Sequence, residues 1–105
     1  MQRALNLLGL CARAGRLKSG IEVVEQTIKA GKAYLALVDA DVSEGSRKVI
    51  DDACKYANIH WRMLPEGALG QAIGRPGRMA VVITDKGFAD RISELMDQQR
   101  DCGGA

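Results

Sequence analysis

Blocks of apolar residues alternate with polar, glycine-containing segments along this chain, and their spacing predicts five helices and four strands. Apolar positions at helical intervals predict helices at 2–13, about 20–30, 44–57, 66–73 and 86 or 87 to about 99. Apolar runs of strand length predict strands at 34–38, 59–64 and 79–84, preceded by a short extended segment at 17–19. Residues 100–105 are predicted to form a polar tail.

The order of these elements predicts the fold class. Helices and strands follow each other in turn, with helix-length connections between strands, so we predict an α/β protein: a three-layer α/β/α sandwich around a small mixed four-stranded sheet. Its 105 residues suit one domain, placed at 1–99. Ligands of open α/β sheets bind at the carboxyl ends of strands, which are here residues 39–43, 65–67 and 84–87.

Three helix starts carry capping signals. Ser19 and Glu22 have the S-x-x-E spacing of a capping box, which predicts a reciprocal cap on the second helix. Ser43 is predicted to cap the third helix, and Asp85 the fifth.

Positive charge is concentrated near the N-terminus. Residues 1–21 contain Arg3, Arg13, Arg16 and Lys18 without any acid, whereas the rest of the chain has 11 bases against 13 acids. Cations beside the free backbone amides of a helix N-terminus create a site for an anion. We therefore predict a phosphate site where the second helix begins at Gly20. Solvated surface charges next to turn glycines would give the same pattern.

Residues for catalysis or metal binding are scarce. His60 is the single histidine, and no nucleophile motif lies near it in the sequence. Cys11, Cys54 and Cys102 are odd in number and widely spaced, which favours reduced thiols in a cytosol over disulfides or a zinc site. No apolar run is long enough to cross a membrane. We therefore predict no enzyme activity, no cofactor and no metal.

Several motifs together carry a family resemblance: Leu7-Leu8-Gly9-Leu10, 12–17, Ser19-Gly20, 31–33, 69–74 and 82–89. Through them the chain resembles, from Leu5 to Met96, the YlxQ-like bacterial branch of the kink-turn RNA-binding ribosomal protein superfamily. The resemblance implies an α/β/α sandwich that grips sharply bent RNA with the start of helix two, the loop after the second strand and the loop before the last helix. By position these surfaces are Lys18, Ser19, Gly20, Ile21, Glu22 and Gln26; Asp39, Ala40 and Asp41; and Thr84, Asp85, Lys86 and Gly87.

The second helix departs from the pattern of the stronger RNA binders in that superfamily, where it begins Gly-x-Asn-Glu-x-x-Lys. Here Glu22 stands at the asparagine position, Val23 at the glutamate position and Gln26 at the lysine position. The amide that reads guanine and one cation for the RNA backbone are therefore absent. A lost base contact is worth roughly 1 to 3 kcal/mol, so this departure predicts weak binding of a standard kink-turn.

The resulting functional prediction is a cytoplasmic, monomeric RNA-binding protein without enzyme activity. It would recognise structured RNA by shape and backbone contacts, with ribosomal RNA and the ribosome as the expected partners and no DNA or membrane partner. Arg16 and Lys18 would attract the phosphates. Two alternatives remain: a protein-interaction adaptor on the same scaffold, and a small-ligand or phosphate-ester enzyme that uses the strand ends near Asp41 and Thr84.

Overall fold

The computed structural model describes the backbone of residues 2–104 and the side chains of residues 2–97, and this part of the chain contains five helices and four strands. In chain order they are α1 Gln2–Arg13, β1 Leu17–Ser19, α2 Ile21–Lys29, β2 Leu35–Asp39, α3 Glu44–Ala57, β3 Trp61–Leu64, α4 Ala68–Ile73, β4 Ala80–Ile83 and α5 Lys86–Gly104. The predicted element order is confirmed.

The four strands form one mixed sheet in the order β1-β4-β2-β3. β2 and β3 run parallel, whereas β4 runs antiparallel to both of its neighbours, β1 and β2. All residues of β2 and β4 are buried. These two central strands are covered by helices on both faces, which explains their continuous apolar sequences.

Two apolar cores lie on opposite faces of the sheet. Leu35, Leu37, Val81 and Ile83 point to one face and pack with buried side chains of α1, α4 and α5. The alternate residues of the same two strands point to the other face and pack with α2 and α3. This arrangement follows from the two-residue side-chain period of a strand. The predicted α/β/α sandwich with a mixed four-stranded sheet is therefore confirmed.

The capping predictions have two outcomes. Ser43 accepts a bond from the Ser46 amide at 3.2 Å, and Asp85 accepts one from the Phe88 amide at 3.0 Å, so both of these caps are confirmed. The predicted capping box at Ser19 is wrong. Ser19 is held in β1 opposite Val81, and the helix is capped one residue later by Gly20, where the described residues provide no side-chain cap bond.

Two helix boundaries differ from the predicted ones. α4 begins at Ala68, two residues later than predicted, because Gly67 is the N-cap and adopts a left-handed φ of 78°. α5 continues to Gly104, so the polar tail predicted from residue 100 is helical up to that point. Residues 98–102 contain neither glycine nor proline, and nothing in them breaks a helix. The side chain of Cys102, predicted to be a reduced thiol, lies outside the described residues.

The antiparallel direction of β4 separates the strand ends predicted to carry the site. Gly20 donates to the Ala80 carbonyl and Asp39 donates to the Met79 carbonyl, so the ends of β1 and β2 lie beside the start of β4. We call this side of the sheet the α2 edge. Thr84 instead lies at the opposite side, the α5 edge, where its amide donates to the Arg16 carbonyl. The predicted strand ends therefore occupy two edges.

Candidate nucleic-acid interface

The start of α2 presents backbone donors at the α2 edge. Gly20, with φ 102° and ψ 138°, is the N-cap, and no side chain of the described residues caps the helix there. The first amides of a helix have no partner within it, and the helix dipole adds positive potential at this end. α2 is nine residues long, so its N-terminus can offer an anion both free amides and the helix dipole.

Arg78 lies directly against this helix start. A Cβ placed on Gly20 would come within 2.9 Å of Arg78 Nη1, so the guanidinium occupies the space that any other side chain at position 20 would need. Gly20, Ile21, Glu22, Val23 and Arg78 together line an open depression of about 380 Å³, which we call the α2 hollow. A cation and helix amides thus face the same space.

A folded loop holds Arg78 in this position. Gly74 ends α4 in a left-handed conformation with φ 71°, and the Arg75 amide donates back to the Gly70 carbonyl at 2.9 Å. A Cβ on Gly70 would lie 2.9 Å from the Arg75 carbonyl oxygen and 3.1 Å from Pro76 Cα. Gly70 therefore allows the loop to pack on α4, and β4 begins two residues after Arg78.

Arg78 is not among the site residues predicted from the sequence. The signal that could have found Arg78 is its position. It lies two residues before β4, and an antiparallel β1–β4 pair brings that segment beside the residue that follows β1. That residue is Gly20.

Three of the predicted site residues, Gly20, Ile21 and Glu22, line the α2 hollow, and Lys18 and Ser19 line the groove next to it. Gln26 is exposed one helical turn beyond Glu22, on the same side of α2. Ala40 and Asp41 are exposed in the loop after β2 and lie at the same sheet edge. The structure therefore brings most of the predicted residues of helix two and of the middle loop to one side of the sheet.

Asp39 is placed differently from its neighbours, since it is 0% exposed. One carboxylate oxygen accepts from the Asp41 amide at 2.8 Å, and the other accepts from the Gly67 amide at 2.9 Å. The side chain therefore joins the loop after β2 to the turn after β3. It does not reach the surface and is not available to a ligand.

The remaining predicted residues lie together at the α5 edge. Arg16 Nε is 4.0 Å from Asp85 Oδ2, and Lys86 Nζ is 2.7 Å from Asp90 Oδ2. The bond to Asp90 raises the pKa of Lys86 above its usual value. Thr84 and Gly87 belong to the same corner. β4 separates this group from the α2 hollow by about 10 Å, at roughly 3.4 Å per residue.

Unpaired positive charge lies in the α2 hollow and in the groove next to it. Among the side chains of residues 2–97, seven bases form ion pairs, whereas Arg78 of the hollow and Lys18 and Arg75 of the adjoining groove are among those with no carboxylate within 4.0 Å. Glu22 is the acid of the hollow; it is exposed and lies in the first turn of α2. The surface is thus cationic with one carboxylate at its rim.

Neither of the two described thiols takes part in this surface. The thiols of Cys11 and Cys54 are buried, and burial raises the pKa of each to about 11, which keeps them neutral and unreactive at physiological pH. Within the described part of the chain, no group of three or more His, Cys, Asp or Glu side chains could hold a metal, and no helix is long and apolar enough to span a membrane.

The fold is a small α/β/α sandwich with a cationic surface at the start of α2. The model of the ribosomal protein L7Ae/L30e/S12e/Gadd45 family matches residues 2–93. The chain belongs to this family.

Individual relatives agree with this assignment over most of the chain. It is 36% identical over 92 residues to the RNA-binding protein YlxQ of Bacillus subtilis strain 168, covering 87% of this chain and 92% of the relative. It is 36% identical over 97 residues to the RNA-binding protein YlxQ of Enterococcus faecium, covering 91% and 93%. The predicted YlxQ-like resemblance is confirmed, and so is the prediction that the chain is not an enzyme.

Two solved structures share the fold. A protein of unknown function from Bacillus halodurans C superposes with a TM-score of 0.85 at 32% identity, covering 90% of this chain and 96% of the other. The 15.5 kD RNA-binding protein of Giardia lamblia superposes with a TM-score of 0.71, covering 90% and 82%. Its identity of 22% supports the fold alone.

Proposed function

We propose that this protein binds structured RNA through the α2 hollow. The observation that carries the proposal is the contact between the Arg78 guanidinium and Gly20, which aligns a cation with the uncapped amides of α2. An RNA phosphate at this point would accept bonds from both and would lie on the positive end of the helix dipole. The relatives from B. subtilis and E. faecium are both named as RNA-binding proteins, which supports the same function.

The extent of the surface favours a polynucleotide over a small anion. Lys18 and Arg75 continue the positive charge away from the hollow along an open groove, so several phosphates can be contacted at once. Val23 is 43% exposed between these cations and offers an apolar contact to a sugar or a base. Duplex RNA hides its base edges in a narrow major groove, so a surface of this kind recognises bent or unpaired elements.

The side chains of α2 suggest how selective the binding is. Glu22 and Val23 supply no amide that could read a guanine, and Gln26 supplies no charge for a phosphate. We therefore expect backbone contacts to dominate, with strong dependence on salt and modest preference for a standard kink-turn over other bent RNAs. Ala40 and Asp41 border the surface, while Arg16 and residues 84–87 lie outside it.

The wider setting belongs to the same proposal. The protein would be a monomer in the cytoplasm with ribosomal RNA as its target. The neutral buried thiols of Cys11 and Cys54 suit the reducing cytoplasm, and the ribosomal character of the family suits ribosomal RNA. Sequencing of RNA crosslinked to the protein in cells would identify the target. Recovery of protein partners by salt-insensitive binding, without RNA, would instead favour the adaptor on this scaffold.

The first prediction removes the cation of the hollow. Arg78→Ala should weaken binding of a kink-turn hairpin and reduce the slope of log K against log salt by about one, because one phosphate contact is lost. Fluorescence anisotropy at several salt concentrations measures both quantities. Lys48→Ala is the matched control, since Lys48 is exposed on α3 and forms no ion pair with the described side chains. Equal affinity and slope in the two variants would refute the proposed site.

A further inference from the structure

A second groove lies between α1 and α4, on the face of the sheet opposite α2. It has a volume of about 480 Å³, and its lining includes Gln2, Asn6, Gly9, Leu10, Arg13 and Gln71. A Cβ on Gly9 would come within 2.9 Å of the Ala72 carbonyl oxygen, so the two helices touch at this point and close the floor. We call it the α1–α4 groove.

This groove is continuous with the α2 hollow. An intermediate groove of about 570 Å³ shares Gly9, Arg13, Gln71 and Ala72 with the α1–α4 groove. The same intermediate groove shares Val23 with the α2 hollow. A single open path therefore runs from the start of α2 past β1 and along α1. α1 alone extends it by about 16 Å, at 1.5 Å per residue.

The charge along the intermediate groove and the α1–α4 groove has one sign. Arg13, Lys18 and Arg75 line the intermediate groove, and amide side chains dominate the polar lining of the α1–α4 groove. No aspartate or glutamate is among the residues that line either groove in the described part of the chain. Leu10 is 52% exposed beside Arg13. Cations for phosphates, amides for base edges and an apolar side chain thus line one continuous path.

We propose that the α1–α4 groove holds a single-stranded RNA segment that leaves the structured element bound at the α2 hollow. This inference rests on the proposed function and adds a second subsite to it. Tracks of positive charge that follow a backbone, combined with surfaces on which bases can lie, are the general mode of single-strand binding. The Arg13 guanidinium offers such a surface as well as its charge. A duplex is too wide to reach a floor formed by two touching helices.

The experiment compares three labelled RNAs: a kink-turn hairpin with blunt ends, the same hairpin with ten uridines added at the 5′ or the 3′ end, and the ten-uridine strand alone. For the unmodified protein, we expect one of the two extensions to strengthen binding about tenfold. 4-Thiouridine placed in that extension should crosslink to peptides of α1 or α4.

Arg13→Ala separates the two subsites. It should remove the gain from the extension and lower the salt slope of the extended RNA by about 0.7, the value for one single-strand phosphate contact. Affinity for the blunt hairpin should change less than twofold. Arg3→Ala is the matched control because Arg3 is an exposed arginine of the same helix that lines neither groove. It should keep the gain. Thermal denaturation verifies that both variants are folded.

Each failure has a distinct meaning. If the blunt hairpin binds but neither extension adds affinity, or if Arg13→Ala behaves like Arg3→Ala, the second subsite is overturned and the α2 site stands. If the uridine strand binds in an Arg13-dependent way and the hairpin does not, the α2 proposal is overturned and the groove stands. Absence of binding by all three RNAs overturns both. Displacement of the extension by decaglutamate at equal concentration would assign the groove to an acidic peptide instead.

Discussion

At the scale of single residues, Gly20 connects the fold to the proposed function. Its φ of 102° is strained for any residue with a side chain, and the space beside it is filled by Arg78. The same glycine therefore sets the direction in which β1 passes into α2 and allows a cation to approach the helix amides. The sequence indicated a glycine at a helix start, whereas the identity of the cation depends on a strand pairing.

The second prediction concerns this residue. Gly20→Ala should destabilise the protein by about 1 to 3 kcal/mol, because alanine is strained at this φ, and should weaken RNA binding by displacing Arg78. Urea denaturation gives the first quantity, and anisotropy at a temperature where the variant is folded gives the second. Gly45→Ala is the control. Nothing lies within 4 Å of its new Cβ, so it should be neutral or stabilising. Unchanged stability in Gly20→Ala would contradict this account.

At the scale of elements, the helices and the central strands could be predicted from the sequence because burial leaves a periodic signal. The four apolar residues of β4 and the Ser43 cap are examples. The direction of β4 leaves no such signal, since an antiparallel strand buried on both faces has the same apolar sequence as a parallel one. For this reason Thr84 was grouped with Asp39 although the two lie at opposite edges, and Arg78 was overlooked.

The third prediction tests how α4 positions the loop. Gly70→Ala should push Arg75 and Pro76 away from the helix, because the added Cβ would meet backbone atoms at 2.9 and 3.1 Å. We expect a stability loss of roughly 1 to 3 kcal/mol and weaker RNA binding, although no charge has been removed. Urea denaturation and anisotropy measure the two effects, again with Gly45→Ala as the control. Full RNA affinity in Gly70→Ala would show that the loop does not position Arg78.

At the scale of the whole molecule, each of the two cores contains one buried thiol. Cys11 lies in the core formed with α1, α4 and α5, and Cys54 in the core formed with α2 and α3. Burial raises the pKa of each thiol from 9.0 to about 11, with Asp85 adding to the effect at Cys11 and Asp51 at Cys54. Alkaline pH should therefore destabilise both cores.

The fourth prediction gives the sign of that response. Between pH 9 and about 11 the unfolded chain ionises these thiols while the folded chain keeps them protonated. The unfolded state then binds fewer protons, so the free energy of unfolding decreases as the pH rises, by up to about 1.4 kcal/mol per pH unit for each thiol. Urea denaturation from pH 8 to 11 should show a shallower decrease in a Cys11→Ala, Cys54→Ala double variant. Parallel curves would exclude the thiols as the cause.

The order of the strands in the sheet also affects how readily copies of this chain aggregate. β1 and β3 are the two outermost strands of the sheet, and they are only three and four residues long. Open edges of a sheet invite pairing with another polypeptide, and a lysine on a short edge strand discourages it. Lys18 stands at the middle of β1 and thus protects the molecule against aggregation at the same position where it is expected to attract RNA. A Lys18→Val variant would lose both the protection against aggregation and the attraction for RNA.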